Sequence, residues 1–401
     1  MKNNLFYRII KTIFNACQVE LLHFFGDNAL RTTFLVFTIV VAFLNGSVYN
    51  NEIIEKTPIA VVDLDKSSMS RNYIRMLAAT QQVSVPVVSN DMNEAKKEFT
   101  QGKVFGILVI PEDFEQKVSL GHQSSLSLYS DASNMLHNKA ISGATSSVMG
   151  TFNAQIEINK SLHSGLNYEN STISRRSVAA ITKPVFNPYA GYGTFILPVV
   201  FLVVMQTLLL TAIGVLGGTF REQNKYLETY NISDSLHLKI IPILLGRALA
   251  YLLLCILVFS VIIGSAFTIF KLPFRAAFGD VIIFLIPFFL AVIFLGFSLM
   301  GIFKRREDAA MSITFLSTPA VFLTGISWPV VAFPQWVKIL SYAFPSTVGV
   351  RGFLALSQFQ ASLGDIKDLW GQMWLTAAFY FVIAVLVNYR LKFHSRYKLS
   401  K

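Results

Sequence analysis

This sequence is short of charge. Asp, Glu, Lys and Arg make up 14% of its 401 residues, while hydrophobic residues reach 53%. Soluble domains carry about 25% charged residues, so an ordinary soluble protein is excluded. Cysteine is nearly absent as well: Cys17 and Cys255 fall in different regions, which excludes a disulfide framework. The histidines at 23, 122, 137, 163, 237 and 394 are scattered, with no H-E-x-x-H or other ligand spacing. There is no G-x-x-x-x-G-K-[ST] phosphate loop, since Gly102-Lys103 is followed by Val104 and lacks the upstream glycine. Uphill movement of anything would therefore need ATP hydrolysis on another chain or an ion gradient. Gradient-driven carriers place ionisable residues inside their spans. Here such residues are nearly missing, with Arg247 and Asp308 only at span edges, which favours an external motor.

What is there, in place of charge, is long apolar runs. A helix needs about 20 apolar residues to cross a bilayer with its backbone polar groups satisfied internally. Six stretches qualify: Thr32–Tyr49, Thr194–Phe220, Ala248–Phe270, Val281–Phe303, Ala309–Trp328 and Trp370–Tyr389. The fifth is interrupted by Pro319 and closed by Pro329. The expected fold class is thus an α-helical integral membrane protein of six transmembrane helices, with an inserted extracytoplasmic α/β domain after the first. The first span reads as a retained signal anchor, because its apolar core is longer than a signal-peptide core.

The net charge of +11 reads as flanking cations of membrane helices rather than a nucleic-acid surface, since cytoplasmic loops are enriched in Lys and Arg. Lys2, Arg8 and Lys11, then Arg221, Lys225 and Lys239, then Lys304-Arg305-Arg306, and finally Arg390, Lys392, Arg396, Lys398 and Lys401 fall on one side if the spans alternate. Both termini are then cytoplasmic.

Residues 1–31 read as an amphipathic leader helix: Phe6, Ile10, Ile13, Phe14, Val19, Leu22 and Phe25 recur at helical spacing among cations. Residues 32–49 are the first span. Residues 50–190 have ordinary charge and alternate strand and helix signals: strands at 59–64, 83–88, 104–110 and 125–129, and helices at 67–79, 93–100 and 112–120. That alternation predicts a small α/β domain. A long helix over about 132–162 and an irregular return through 164–183 should follow. Residues 191–401 hold the remaining spans, a polar loop at 220–233, and an outer segment at 327–356. That segment is too broken to cross. It suits either a re-entrant hairpin or an interfacial helix pinned by Trp336 and Tyr342, and the sequence permits both. Asp63-Leu64-Asp65 could hold a metal, but its place at a strand end makes it a turn and cap.

Several segments together resemble one family. VVDLDKSSMSR (Val61–Arg71), GKVFGILVIPEDFE (Gly102–Glu115), FNPY (Phe186–Tyr189), REQNKYLE (Arg221–Glu228), GRALAY (Gly246–Tyr251), and TGISWPVVAFPQW with FPSTVGVRG (Thr324–Gly352) occur in an order and spacing similar to permease subunits of type-2 ABC exporters, in the multidrug-efflux-like branch with a large extracytoplasmic domain. The resemblance covers essentially the whole chain. It implies a permease without a nucleotide site or cofactor of its own, working with a separate ABC ATPase subunit that binds ATP. It also implies a second permease copy or paralogue and, as in relatives with this outer domain, a periplasmic adaptor, in a bacterial inner membrane. An amphipathic drug-like or lipid-like substrate would leave the cytoplasm or inner leaflet. The leader would be the connecting helix. Arg221, Glu222, Lys225, Tyr226 and Glu228 would form the coupling helix that docks on the ATPase, although relatives commonly have Gly-Thr where this chain has Lys225-Tyr226. Pro329, Pro334, Trp336, Pro345 and Arg351 would belong to an outer re-entrant hairpin. Two other classes fit less of the chain. A membrane-anchored sensor or assembly factor would need one span, not six. A lipid-modifying enzyme would need clustered polar residues, which Asn45, Gln206, Ser298 and Thr314 do not form.

Overall fold

The computed structural model describes residues 3–50, 54–163, 186–187, 191–223 and 240–399. The expected irregular return at 164–183 and the loop from residue 224 to 233 lie outside them. The chain divides into two units, one of Met1–Asn50 with Val185–Lys401 and one of Asn51–Pro184.

The leader forms helix α1 (Asn3–Gly26). It ends at Asp27, whose carboxylate accepts the amides of Ala29 and Leu30 and so starts a new helix. The sequence boundary at residue 31 therefore falls inside helix α2 (Asn28–Val48), which contains a π turn at Thr32–Val36. Along α1 one stripe is buried (Ala16, Cys17, Glu20, Phe24), while Phe6, Ile10, Phe14, Leu22 and Phe25 face outward.

The inserted unit is built on strand β1 (Thr57–Asp63), helix α3 (Ser68–Ala78), strand β2 (Val83–Ser89), helix α4 (Met92–Thr100), strand β3 (Gly106–Ile110), helix α5 (Phe114–Ser119), strand β4 (Ser127–Ser130) and the long helix α6 (Met135–His163). The sheet order is β2-β1-β3-β4, parallel except for β4. Ile59 and Val61 pack with Tyr73, Leu77, Phe114, Ile141 and Phe152 on one face. Ala60 and Val62 pack with Ala95 and Ile107 on the other. Covered on both faces, β1 reads as a nearly unbroken apolar run, as a central parallel strand should.

The membrane unit continues with α7 (Tyr192–Glu222), α8 (Ile240–Phe267), α9 (Phe278–Leu299), α10 (Arg306–Leu323), α11 (Gln335–Ser341), α12 (Pro345–Ser357) and α13 (Lys367–Leu399). Among the described residues five helices are long and apolar enough to cross a membrane: α2, α7, α8, α9 and α13. The expected fifth span falls on α10. Its 18 residues reach about 27 Å at 1.5 Å per residue, slightly short of a hydrocarbon core of about 30 Å. Arg306, Glu307 and Asp308 also occupy its first turn. Helices α11 and α12 are bent by 81° across a short break, the geometry of a broken span or a re-entrant loop. Helix α7 is buried along most of its length. Close packing around it depends on small residues: a Cβ at Gly218 would lie 2.7 Å from the Arg306 amide nitrogen.

Candidate functional site

Two constructions stand out in the membrane unit. The first joins the leader to the spans. Arg247 on α8 and Glu20 on α1 are both fully buried. They form a bidentate ion pair, with Nε to Oε2 at 2.9 Å and Nη2 to Oε1 at 3.0 Å. Fork-to-carboxylate pairing fixes direction as well as distance. The guanidinium also lies over the Phe297 ring, 4.6 Å from its centroid, and approaches Met300 Sδ at 3.8 Å, so it touches the end of α9 too. One residue before Arg247, α1 and α8 meet at backbone distance: a Cβ on Gly246 would come 2.3 Å from the Ile13 carbonyl oxygen. Phe24 packs edge-on against Tyr251 and Phe34. Burial, with the Glu20 charge adding to it, pushes the neighbouring Cys17 thiol up from its ordinary pKa.

Met300 is also where α7 ends against α9. The Arg221 guanidinium donates to the carbonyls of Met300, Gly301 and Phe303 at 3.1, 3.0 and 2.8 Å. These carbonyls lie just beyond the C-terminus of α9, where helical acceptors lack intrahelical donors and a cation is favoured. Of the residues placed by resemblance in an ATPase-docking helix, Arg221 is thus turned into the protein and Glu222 is exposed. Lys225, Tyr226 and Glu228 lie outside the described residues.

The second construction holds α12 against α7. Gln206 accepts the Ser346 backbone N–H at 2.9 Å and donates to Ser346 Oγ at 3.2 Å. At the other end Gln358 donates to the Thr194 carbonyl at 2.8 Å. Positions 194 and 206, like 346 and 358, are twelve residues apart, so the two helices run antiparallel side by side. Thr347 donates to the Ser341 and Leu323 carbonyls, and Tyr380 to the Ala343 carbonyl. The bend is therefore fastened to α7 through Ser346, to α10 through Thr347 and to α13 through Ala343. Pro345 opens α12 and is buried; Pro334 precedes α11 and Pro329 the short 3-10 turn at Val330–Ala332. Trp336 and Arg351 are exposed. Beside this strap is a cavity of about 180 Å³. Gln206, Thr207, Leu210, Leu299, Ile313, Leu316, Phe344 and Tyr380 line it.

In the inserted unit the acidic pair serves the chain itself. Asp63 accepts the Lys66 amide at 3.0 Å and the Ser70 hydroxyl at 2.8 Å, and Asp65 accepts the Glu115 amide at 3.2 Å. Ser67 caps α3 through the Ser70 amide. No group of three or more His, Cys, Asp or Glu side chains able to hold a metal occurs among the described residues.

Sequence reasoning missed the Glu20–Arg247 pair and the Gln206–Ser346 contact. A signal for the first exists: Glu20 is the lone acid in residues 1–26, and Arg247 is the lone charge of α8. Two isolated opposite charges in apolar helices invite pairing.

A linearmycin resistance permease protein of Bacillus subtilis, LnrN, is 21% identical over 400 residues, which cover 93% of this chain and 98% of that protein. A probable multidrug ABC transporter permease of Escherichia coli K12, YbhR, is 18% identical over 323 residues, 79% of this chain and 81% of that one. The sequence profile of the ABC-2 family transporter proteins matches residues 30–386, from the first span to the last. The chain belongs to the ABC-2 family of transporter proteins and is an ABC-2 type permease.

Proposed function

We propose that the chain is the permease subunit of an ATP-driven exporter, moving an amphipathic drug-like or lipid-like molecule out of the cytoplasm or inner leaflet of a bacterial inner membrane. The observation that carries the reading is the apolar cavity beside the α11–α12 bend, where a single amide, Gln206, faces Leu210, Leu299, Leu316 and Phe344. A mostly apolar wall with a few placed polar groups, here Gln206, Thr207, Ser317 and Tyr380, is what one end of an amphipathic ligand needs. Relatives described as a linearmycin resistance permease and a probable multidrug permease support a drug-like cargo.

The sequence holds no phosphate-binding loop, so ATP would be hydrolysed by a separate ABC ATPase subunit docked on the loop after α7. The outward apolar stripe of α1 suits the headgroup zone of the bilayer. Helix α10 would complete a set of six spans, with both termini cytoplasmic and the α11–α12 bend entering from the outer side. The inserted unit would then lie outside the membrane, available to a periplasmic adaptor. The cation excess supports this orientation: residues 51–184 hold thirteen acidic and thirteen basic residues, so all of the +11 resides in the membrane unit. A second copy or a paralogue would close the path.

The test is co-purification in mild detergent, with crosslinking from a cysteine placed at position 228, followed by transport in proteoliposomes. Capture of an ATP-binding subunit and ATP-dependent export are expected. A chain that purifies without such a partner and transports unaided would overturn the reading.

A further inference from the structure

The leader could have been joined to the spans by apolar packing alone. Instead one charged pair is buried at the contact, and its partners are well separated in the chain: Glu20 on α1 and Arg247 on α8. Stability does not require it, since well-packed apolar side chains commonly replace a buried ion pair at no loss. What the pair supplies is a single geometry. Two smooth apolar helices can slide or rotate past each other with little change in burial. A bidentate guanidinium–carboxylate contact cannot, because a small displacement breaks both hydrogen bonds and strands two charges away from water. The backbone approach of Ile13 to Gly246 provides a second fixed point. Through Phe297 and Met300 the same guanidinium engages α9.

We propose that Glu20 and Arg247 are positioning residues for energy coupling: their pair locks the leader to α8 and α9, so that force applied to the leader by a partner ATPase reaches the spans as a rigid displacement. The proposal rests on the permease reading above. Its test has one arm that does not depend on that reading.

That arm measures spin-label distances between Gln18→Cys and Leu249→Cys, both exposed sites, in the full chain with Cys17 and Cys255 replaced by alanine. A narrow distribution is expected with native Glu20 and Arg247, and a broad one with Glu20→Gln. The second arm uses the reconstituted complex and counts substrate exported per ATP hydrolysed. Glu20→Gln and Arg247→Gln are expected to lower that ratio about tenfold, within the usual range of coupling between sites, with ATP hydrolysis persisting. The exchange Glu20→Arg with Arg247→Glu should recover most of it. The pair Glu20→Leu with Arg247→Leu should fold yet stay uncoupled, which covers the case in which the single variants do not fold. A leucine pair that exports as much per ATP as the native chain, with a narrow distance, would overturn the proposal while leaving the permease reading intact. A native complex that exports nothing, with the distance results as expected, would overturn the permease reading and leave the lock standing.

Discussion

Gln206, in the middle of α7, does for α12 what an N-cap residue normally does from within the same chain segment: its Oε1 accepts the Ser346 backbone N–H at 2.9 Å. Pro345, at the first position of α12, has no N–H to satisfy, so Ser346 carries the first free donor of that helix. Both side chains are buried, where an unsatisfied amide costs about 1–3 kcal/mol. Gln206→Leu should lower the stability of the chain in detergent by that amount, and Gln206→Glu, measured at a pH low enough to keep the carboxyl protonated and so a neutral acceptor, by less. Thermal unfolding followed by tryptophan fluorescence measures both. Equal loss in the two variants would mean that the amide nitrogen, and not the acceptor, holds α12.

Arg221 and Glu222 separate two roles that adjacent positions in a docking loop would be expected to share. Arg221 closes the carbonyl end of α9, while Glu222 is exposed. Arg221→Ala should destabilise the chain purified without partners by about 1 kcal/mol, the cost of losing charge-assisted bonds to carbonyls at a partly buried helix end. Glu222→Ala should leave that stability unchanged within about 0.5 kcal/mol, the usual size of a surface substitution. An ATPase-binding assay run alongside then reads Glu222 free of any folding effect. If Arg221→Ala melts like the native chain, the carbonyl cap is energetically idle.

Five of the six expected spans were legible because length and hydrophobicity determine them; the expected fifth, on α10, is the shorter helix with Arg306, Glu307 and Asp308 in its first turn. The order of strands and helices in the inserted unit was legible because turn residues such as Pro111, Gly102 and Gly121 punctuate it. Two kinds of feature were hidden. The Asp27 break, inside an expected leader of residues 1–31, depends on a cap hydrogen bond rather than on composition. The contacts that make the candidate sites join residues far apart in sequence: Gln206 meets Ser346 and Arg247 meets Glu20. A lone glutamine in an apolar run says that it needs a partner, but nothing local says which one. The 327–356 segment could not be decided from sequence because the side chains that fasten its bend, Gln206 and Tyr380, lie outside it.

Tyr73 makes the stability of the inserted unit sensitive to alkaline pH. Its ring is buried edge-on against Phe152, 5.3 Å between centroids, and burial pushes its pKa up to about 12. The unfolded chain releases this proton near 10, so between those values the folded state holds a proton that the unfolded state has lost. Stability from this group is complete below pH 10 and declines as pH rises towards about 12. The difference in unfolding free energy between native protein and Tyr73→Phe should be constant below pH 10, then move steadily in favour of the phenylalanine variant. Denaturant unfolding at stepped pH, read by circular dichroism, checks it. A difference that stays flat through pH 12 would show that Tyr73 reaches solvent in the folded state.

Two glycines of similar appearance in sequence should respond oppositely to alanine. Gly218, near the end of α7, faces backbone: a Cβ there would lie 2.7 Å from the Arg306 nitrogen and 2.8 Å from the Arg305 carbonyl carbon and oxygen. Backbone at the start of α10 cannot rotate aside as a side chain can, so α7 and α10 must part. Overpacking of that kind costs about 1–3 kcal/mol or more. Gly143, inside α6, has nothing within 4 Å of where its Cβ would be. There alanine removes only the conformational freedom that glycine has in the unfolded chain, and should stabilise by about 0.5–1 kcal/mol. The two effects can be read apart because the tryptophans, at 328, 336, 370 and 374, all belong to the membrane unit. Gly218→Ala should lower the midpoint seen by tryptophan fluorescence. Gly143→Ala should leave that midpoint in place and raise the transition of the inserted unit seen by circular dichroism. If Gly218→Ala leaves the fluorescence midpoint unmoved, α7 and α10 are not in backbone contact at that position, and the close packing that brings Arg221 to the end of α9 must be held by other residues.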